Sequence, residues 1–138
     1  MKFSLFVHME RLDASQSHKS LYEEFVALCE IADKGGMHAI WTGEHHGMDF
    51  TIAPNPFVTI ADLARRTSRA RLGTGTVIAP FWHPIKLAGE AAMADMAAAR
   101  VGLPGFTQPQ LSMKICPPIC SATVVPLVAI EPEAGASM

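Results

Sequence analysis

Three short apolar runs recur along the first eighty residues, and their spacing limits the possible folds more than any other feature of the chain. The runs are FSLFV, HAIWTG and RLGTGTVI, at residues 3–7, 38–43 and 71–78. A strand, a crossover helix and a second parallel strand together need about thirty residues or more. The spacing therefore predicts consecutive βαβ units around a parallel sheet.

The segments between the runs carry helix start and stop signals. Ser20 and Glu23 have the spacing of a capping box, and Gly35-Gly36 is a typical helix stop. Asn55-Pro56 is an N-cap followed by a proline suited to the first helical turn, and Pro84 begins a third periodic segment. The predicted helices span residues 20–34, 56–66 and 84–98. The expected apolar faces are Leu21, Phe25, Leu28, Cys29 and Ala32, then Phe57, Ile60, Ala61 and Ala64, then Ile85, Ala88, Ala92, Met96 and Ala99.

Three βα units alone do not choose between an open doubly wound sheet and a (β/α)8 barrel. The dinucleotide-binding version of the open sheet requires a G-x-G-x-x-G turn after its first strand. Gly73 and Gly75 begin such a pattern, but Ile78 stands at the third glycine position. The segment after the first apolar run contains no glycine, so a dinucleotide fingerprint is absent.

Composition excludes several classes of function. The formal net charge is −2 in 138 residues, with 49% hydrophobic and 17% charged side chains. Such a balance, without a basic run, does not favour binding to nucleic acid or to acidic membranes. The apolar run at residues 3–7 is too short for a signal peptide, and three cysteines without a zinc pattern indicate neither a disulfide framework nor a metal site. We expect a cytoplasmic protein.

The character of the sequence changes after about residue 97. Beyond Arg100 the only charged residues are Lys114, Glu131 and Glu133, and six of the ten prolines lie there. We expect an irregular tail over residues 97–138, partly disordered, with no fourth βα unit and at most an edge strand within residues 124–130. Its composition resembles out-of-frame translation of a GC-rich gene, with the change of frame near Met96–Arg100.

An acid and two histidines follow the second apolar run, where the carboxyl end of a parallel strand commonly carries a functional site. His45 and His46 point to opposite faces of an extended segment, so a metal would need Glu44 and His46 with a further ligand such as His83. The residues could instead be ordinary loop polar groups. In a third interpretation one histidine is a general base toward a bound cofactor.

Four segments together resemble the bacterial luciferase-like, flavin-dependent monooxygenases. MKFSLF is similar to their first strand, IWTGEHH to the second, NPFVTIADLARRTSRARLGTGTVIAP to the next helix and strand, and HPIKLAGEAAMADM to the third helix. The resemblance covers residues 1–96. It implies the N-terminal three βα units of a TIM-like (β/α)8 barrel, which binds reduced FMN, or a deazaflavin in some branches, at the carboxyl ends of its strands.

The resemblance also implies roles for individual residues. His45 matches the catalytic histidine that acts as base or proton donor toward the flavin, and no metal is implied. Glu44, His46, Gly75 and Thr76 match positions at the cofactor, Glu44 and His46 as a supporting shell. The Gly75–Thr76 bond matches a non-prolyl cis peptide beside the flavin ring, where a glycine allows close approach.

Other residues near this end have less specific expectations. Met48 and Phe50 lie in a loop that could line an apolar substrate pocket. Asn55 is explained by its N-cap role, and Trp41 and Trp82 are expected to be packing residues.

The resemblance implies an oxidoreductase that uses reduced flavin from a separate reductase, with O2, to monooxygenate a small apolar substrate. A complete barrel needs about 250 residues, so we expect this chain to be truncated and weakly active or inactive. Deazaflavin-dependent hydride transfer is one alternative. Another is a non-enzymatic remnant or partner chain that pairs with a full-length homologue, as a homo- or heterodimer formed through helix faces.

Overall fold

A computed structural model of the protein describes residues 1–49 and 51–98, together with the backbone of two short strands at 111–115 and 129–131. Each of the first three strands is followed by a helix. The elements are β1 (Lys2–Val7), α1 (His18–Lys34), β2 (Ala39–Thr42), α2 (Pro56–Arg66), β3 (Arg71–Val77), a 3-10 turn (Ala79–Phe81), α3 (Pro84–Ala98), β4 (Leu111–Ile115) and β5 (Ala129–Glu131).

The sheet has the order β4-β3-β2-β1-β5. β1 pairs with β2 and β2 with β3, both in parallel, so that Ser4 lies beside Ala39 and Ile40 beside Leu72. Strand order and direction confirm the predicted succession of three βα units. The carboxyl ends of all three strands consequently lie at the same end of the sheet. A site shared between neighbouring loops can form there.

Two strands of the C-terminal segment join the sheet, and the sequence did not predict the first of them, β4. β4 pairs in parallel with β3, and β5 pairs antiparallel with β1 at the opposite edge of the sheet. Both strands satisfy backbone groups that an open sheet edge would leave unpaired. β5 overlaps the end of the apolar run at 124–130 and is an edge strand, as expected. Residues 99–110, 116–128 and 132–138 lie outside the described residues, so the irregular tail stays a prediction.

The core lies between the sheet and the helices. The strands contribute Ile40, Leu72 and Val77 to this core. Helix α2 contributes Ile60 and Leu63, which are almost completely buried. Removing a side chain of this size from water stabilises the fold by about 1.5–3 kcal/mol.

Helix α1 begins earlier than the capping-box pattern predicted. Its N-cap is Ser17, whose hydroxyl accepts a hydrogen bond from the backbone N–H of Ser20. The Ser20 hydroxyl donates to Glu24 instead of capping. Leu28, expected on the apolar face, is exposed, whereas Val26 is buried. Leu21, Phe25, Cys29 and Ala32 are buried as predicted, and burial raises the pKa of the Cys29 thiol to about 12.

Helix α2 matches its predicted bounds, and its cap is confirmed. The Asn55 side chain accepts hydrogen bonds from the backbone N–H groups of Phe57 and Val58. The same side chain donates to Glu90 of α3 at 2.7 Å. One residue therefore both starts α2 and holds α3 beside it.

Helix α3 has the predicted bounds but buries a different face. Ala94 and Ala98 are buried, whereas Ile85 and Met96 of the expected apolar face are 79% and 62% exposed. The apolar residues of α3 are distributed on all sides of the helix, so the sequence periodicity did not define a single buried face. Small alanine side chains are compatible with close packing of α3 in the helix layer. Ala99 lies outside the described residues.

At the opposite end of the sheet, a buried aspartate connects α1 to the turn before β3. The Asp33 carboxylate, near the end of α1, accepts hydrogen bonds from the backbone N–H groups of Ser68, Arg69 and Ala70 at 2.7–2.8 Å. Burial raises the pKa of Asp33, but these donors lower it by more, and the net shift is downward. The turn that leads into β3 is thereby joined to α1.

Candidate functional site

The loop after β2 places adjacent residues on opposite faces of the sheet. Ile40 points into the core between sheet and helices, and the alternation of an extended chain puts Gly43 on the other face. A Cβ atom built on Gly43 would lie 2.9 Å from Cε1 of His8 and 3.1 Å from Nε2 of His45. His45 therefore lies on the inward face of the sheet, away from the helices.

His8 and His45 form a direct pair on this inward face. Nε2 of His45 and Nδ1 of His8 share a hydrogen bond of 2.8 Å, and the ring centroids are 4.8 Å apart. The edge of a third ring, that of Phe6, meets His8 at a centroid distance of 4.5 Å. The sequence interpretation missed His8. Its position directly after β1, equivalent to that of the Glu-His-His segment after β2, was the available signal.

Both imidazoles of the pair favour the neutral form. Burial lowers the pKa of His8 below its usual value of 6.5, and Glu10 opposes this shift. Burial also lowers the pKa of His45; His8 and His46 act in the same direction, and Glu10 and Glu44 oppose it. At neutral pH both rings are consequently uncharged, and each can donate one hydrogen bond and accept another.

Glu44 lies on the helix side, in a network of its own. One carboxylate oxygen accepts from the indole N–H of Trp82 at 2.8 Å and from Nε2 of His46 at 2.5 Å. The other accepts from the backbone N–H of Ile78 at 2.7 Å. The carboxylate is fully buried. Glu44 therefore orders the loop between β3 and α3, and direct contact with a cofactor does not fit its position.

His46 and Trp82, the two side chains bound to Glu44, differ in their surroundings. His46 is about one-third exposed and meets the ring of Phe81 edge-on, at a centroid distance of 5.2 Å. Trp82 packs against Phe57 and the core, as its predicted packing role requires. Trp41, the other predicted packing residue, is half-buried and lies outside that core cluster.

The Gly75–Thr76 segment differs from its expected geometry. The described residues contain no cis peptide bond. Gly75 lies opposite Lys114 and Val77 opposite Ile115, which leaves Thr76 as the extra residue of a β-bulge. The bulge shifts the alternation so that Val77 enters the core and Thr76 is only half-buried. All peptide bonds of this segment are trans.

Gly75 does permit the close approach of a ring, but the ring is that of Phe6. A Cβ atom on Gly75 would lie 2.8 Å from Cε2 of Phe6 and 3.6 Å from Cβ of Trp41. The glycine thus admits an aromatic side chain of β1 to the inward face of β3.

The loops that follow the carboxyl ends of β1 and β2 are hydrogen-bonded to each other. The backbone N–H of His45 donates to Ala53, and that of Ile52 donates to Met9 after β1. Arg11 forms an ion pair with Asp49. Met48 of the same loop is exposed, and Phe50 lies outside the described residues, so the apolar substrate pocket stays a prediction.

The family of the chain follows from comparison with known proteins. A model of the luciferase-like monooxygenases matches residues 1–99. The chain belongs to the luciferase-like monooxygenase family. The family match confirms the resemblance and ends close to the predicted boundary at residue 96.

Relatives are similar over nearly the whole matched segment. The oxygenase component of the flavin-dependent trigonelline monooxygenase of Acinetobacter baylyi is 73% identical over 96 residues, which are 70% of this chain and 27% of that protein. The chain spans about a quarter of the length of that relative.

Solved luciferase-like structures share the fold. Monooxygenase RslO1 from Streptomyces bottropensis superimposes with a TM-score of 0.70 at 34% identity, over 83% of this chain and 32% of that one. The oxygenating constituent of 3,6-diketocamphane monooxygenase from Pseudomonas putida, solved in complex with FMN, gives a TM-score of 0.70 at 19% identity, over 84% of this chain and 29% of that one. These likenesses identify the sheet as part of a TIM-type barrel.

The inward face of this luciferase-like segment presents both aromatic and polar groups. Two neutral imidazoles lie beside Gly43 and the Phe6 ring, and the Phe6 ring in turn packs against Gly75. The three rings meet edge-on, and the surface offers aromatic carbon together with a hydrogen-bond donor and an acceptor.

A metal does not fit the expected ligand set. The oxygens of Glu44 are occupied by Trp82, His46 and Ile78, and Nδ1 of His83 accepts from the backbone N–H of Ile85. Within the part of the chain that the structure describes, no three His, Cys, Asp or Glu side chains are grouped to hold an ion.

None of the described helices is long and apolar enough to cross a membrane.

Proposed function

We propose that this chain forms one side of the active site of a flavin-dependent monooxygenase, which uses reduced FMN and O2 to insert one oxygen atom into a small substrate. The observation that carries the proposal is the position of His45, on the inward face and hydrogen-bonded to His8, in a segment 73% identical to a monooxygenase component. Reduced FMN, when bound, supplies the electrons with which O2 is activated.

The residues of the chain divide into those that meet the cofactor and those that position them. His45 holds or moves a proton at the site, because its lowered pKa keeps the ring neutral and able to accept one. Gly75 and Thr76, near the end of β3, are the further residues proposed to meet the cofactor. Glu44 and His46 order the loops from the helix side, and Phe6 covers part of the face with an apolar ring that excludes water.

The proposed substrate is a small heteroaromatic acid of the trigonelline type. This choice rests on the relative of 73% identity, which is named for trigonelline. A small apolar substrate is the second candidate, supported by the exposed Met48 and Phe81 side chains near this edge. Deazaflavin-dependent hydride transfer is a further alternative to reduced FMN, and a cofactor assay distinguishes them.

Two kinds of protein partner belong to the proposal. A separate flavin reductase would supply the reduced cofactor, as the term oxygenase component in the name of the relative suggests. A homo- or heterodimer would cover the exposed face of α3, where Ile85, Met93 and Met96 are each more than 60% exposed.

The 138-residue chain alone is proposed to be weakly active or inactive. It spans 27–32% of the relatives described above, whereas a barrel of this type needs about 250 residues. A titration of the purified chain with FMN tests this directly, and tight stoichiometric binding would contradict it. The alternative is that the chain is a non-enzymatic remnant or a partner of a full-length homologue. We also propose that the monooxygenase is located in the cytoplasm.

A chimera tests the proposed chemistry in a complete barrel. Residues 1–96 of this chain replace the matching segment of the Acinetobacter baylyi relative, and product formation from trigonelline is measured with a separate reductase and FMN. We expect turnover, and a loss of about 10²–10⁴-fold in the His45→Phe chimera, the usual effect of removing a general acid–base group. The His83→Asn chimera is the matched control and should keep its rate. A folded, FMN-binding chimera without product, or an active His45→Phe chimera, would contradict the proposal.

The proposed change of reading frame has its own test. The family match ends at residue 99, close to the expected change near Met96–Arg100. Translation of the other two frames downstream should recover a Gly-Arg turn and an Arg-Gly segment typical of the family. Their absence from both frames would leave the segment from 97 onward as an ordinary C-terminal sequence.

A further inference from the structure

The His8–His45 pair leaves one nitrogen of each ring outside the shared hydrogen bond. The bond joins Nε2 of His45 to Nδ1 of His8. Nδ1 of His45 and Nε2 of His8 are therefore the outer atoms. Neither has a hydrogen-bond partner within residues 1–49 and 51–98.

Two neutral imidazoles in contact behave as one unit. Each neutral ring carries one N–H and one lone pair, so a shared hydrogen bond leaves an N–H at one outer atom and a lone pair at the other. Which ring donates sets both tautomers at once. The charged and titratable groups that act on the pair are Glu10 on both rings, and His46 and Glu44 on His45.

We propose that His8 is a positioning residue for His45 and the second half of a proton relay, whose end at the site is Nδ1 of His45. A proton enters at Nδ1 of His45, the proton on Nε2 of His45 passes to Nδ1 of His8, and the proton on Nε2 of His8 leaves to water. Both rings are neutral before and after, and each has changed tautomer. The use of this relay rests on the proposed function of His45, whereas the pair itself does not.

The surroundings support a proton-handling role over simple packing. Phe6 already shows that the inward face accepts an apolar ring, so filling space beside it does not require an imidazole. Contact between the two histidines also requires glycine at position 43, because a side chain there would meet both rings within 3.1 Å. Glycine at position 43 thus leaves the room in which the two rings reach hydrogen-bond distance.

Nitrogen-15 NMR of the full 138-residue chain, without cofactor, tests the proposal. In the unmodified protein we expect a scalar coupling across the hydrogen bond between Nε2 of His45 and Nδ1 of His8, one dominant tautomer for each ring, and two coupled protonation steps below pH 6.5. Absence of the coupling together with averaged tautomers would overturn the proposal without any variant.

Variants separate positioning from packing. His8→Asn keeps a polar group near the place of Nδ1, so His45 should retain its tautomer. It should titrate in one step at a raised pKa, because a protonated His8 no longer opposes its protonation. His8→Phe keeps a ring but no hydrogen bond, so the tautomer preference of His45 should be lost. His83→Asn is the control and should change neither. An unchanged His45 spectrum in a folded His8→Phe variant would refute the relay.

These readings are independent of turnover. If the chimera of the previous section is inactive but the coupling and tautomers are as expected, the proposed function fails and the pair stands. If the chimera is active but His8→Phe leaves its pH profile unchanged, the relay fails and the proposed function stands.

Discussion

The carboxylate of Glu44 lies 2.8 Å from the indole nitrogen of Trp82, and this contact joins the loop after β2 to the loop before α3. The same carboxylate holds His46 and the backbone of Ile78. Glu44 lies between the inward-facing positions Gly43 and His45 and thus orders these loops from the opposite side of the sheet.

Replacing Glu44 with Gln should destabilise the protein by about 2–4 kcal/mol. An amide cannot accept all three of these hydrogen bonds, and its NH2 group would face donors, which leaves buried groups unpaired. Urea unfolding measures the change. Glu23→Gln, an exposed member of an ion pair with Lys19, is the control and should stay within about 0.5 kcal/mol. Equal effects of both variants would contradict the role of the network.

Replacing Asp33 with Asn should cost about 2–4 kcal/mol at pH 7 and should flatten the acid limb of the stability curve. The folded pKa of Asp33 is lowered, so its contribution is complete above the unfolded value of 3.8 and is lost as pH falls through the folded pKa. Unfolding free energy measured between pH 2 and pH 7 gives the comparison. Asp13→Asn, at an exposed turn, is the control and should have a smaller effect at pH 7.

Replacing Gly43 with Ala should disrupt the histidine pair. The new methyl group would lie 2.9 Å from a ring carbon of His8, so one ring must turn away, at a cost of about 1–3 kcal/mol. Loss of the His8–His45 coupling in the NMR spectrum is the specific measurement. Gly89→Ala is the matched control: the space around Gly89 in α3 is open, and alanine should stabilise the helix by about 0.5–1 kcal/mol. A Gly43→Ala spectrum with the coupling intact would contradict the packing argument.

Replacing Thr74 with Val should stabilise the protein by about 1 kcal/mol. The Thr74 hydroxyl oxygen is fully buried and has no hydrogen-bond partner among the described residues, so an apolar group of the same shape removes an unpaired polar atom. Thermal unfolding should show the gain. Thr67→Val should have the opposite sign, because the Thr67 hydroxyl donates to the carbonyl of Leu63. Destabilisation by Thr74→Val would indicate that the hydroxyl has a partner after all.

Replacing Met93 with Glu should weaken self-association, if the exposed α3 face is a dimer interface as proposed. A charge at the centre of an apolar interface is left desolvated and unpaired, which commonly costs several kcal/mol of association free energy. Light scattering after size exclusion measures the oligomeric state over a range of concentrations. Leu12→Glu, at an exposed loop, is the control. An unmodified chain that is monomeric at all concentrations would refute the dimer.

Local signals in the sequence were sufficient for the succession of elements. The Asn55-Pro56 pair predicts the start of α2 because a cap and a fixed backbone angle act within one turn, independently of the rest of the fold. The spacing of apolar runs predicted parallel strands for a similar reason, since only a crossover helix fits between them. Alternation along an extended segment also predicted that His45 and His46 would separate, and they do: His45 binds His8 and His46 binds Glu44.

Contacts between distant segments required the tertiary structure. Nothing near His8 in sequence indicates His45, because their pairing depends on the register of β1 against β2 and on a glycine that leaves room for two rings. The buried face of α3 was wrongly predicted because apolar residues lie all around that helix, and only packing selects Ala94 and Ala98 over Ile85 and Met96. The sequence by itself thus determined the order of the elements and the end of the sheet where the candidate site is proposed; tertiary packing decided which side chains meet there, because hydrogen bonds and close contacts depend on distances that local patterns do not encode.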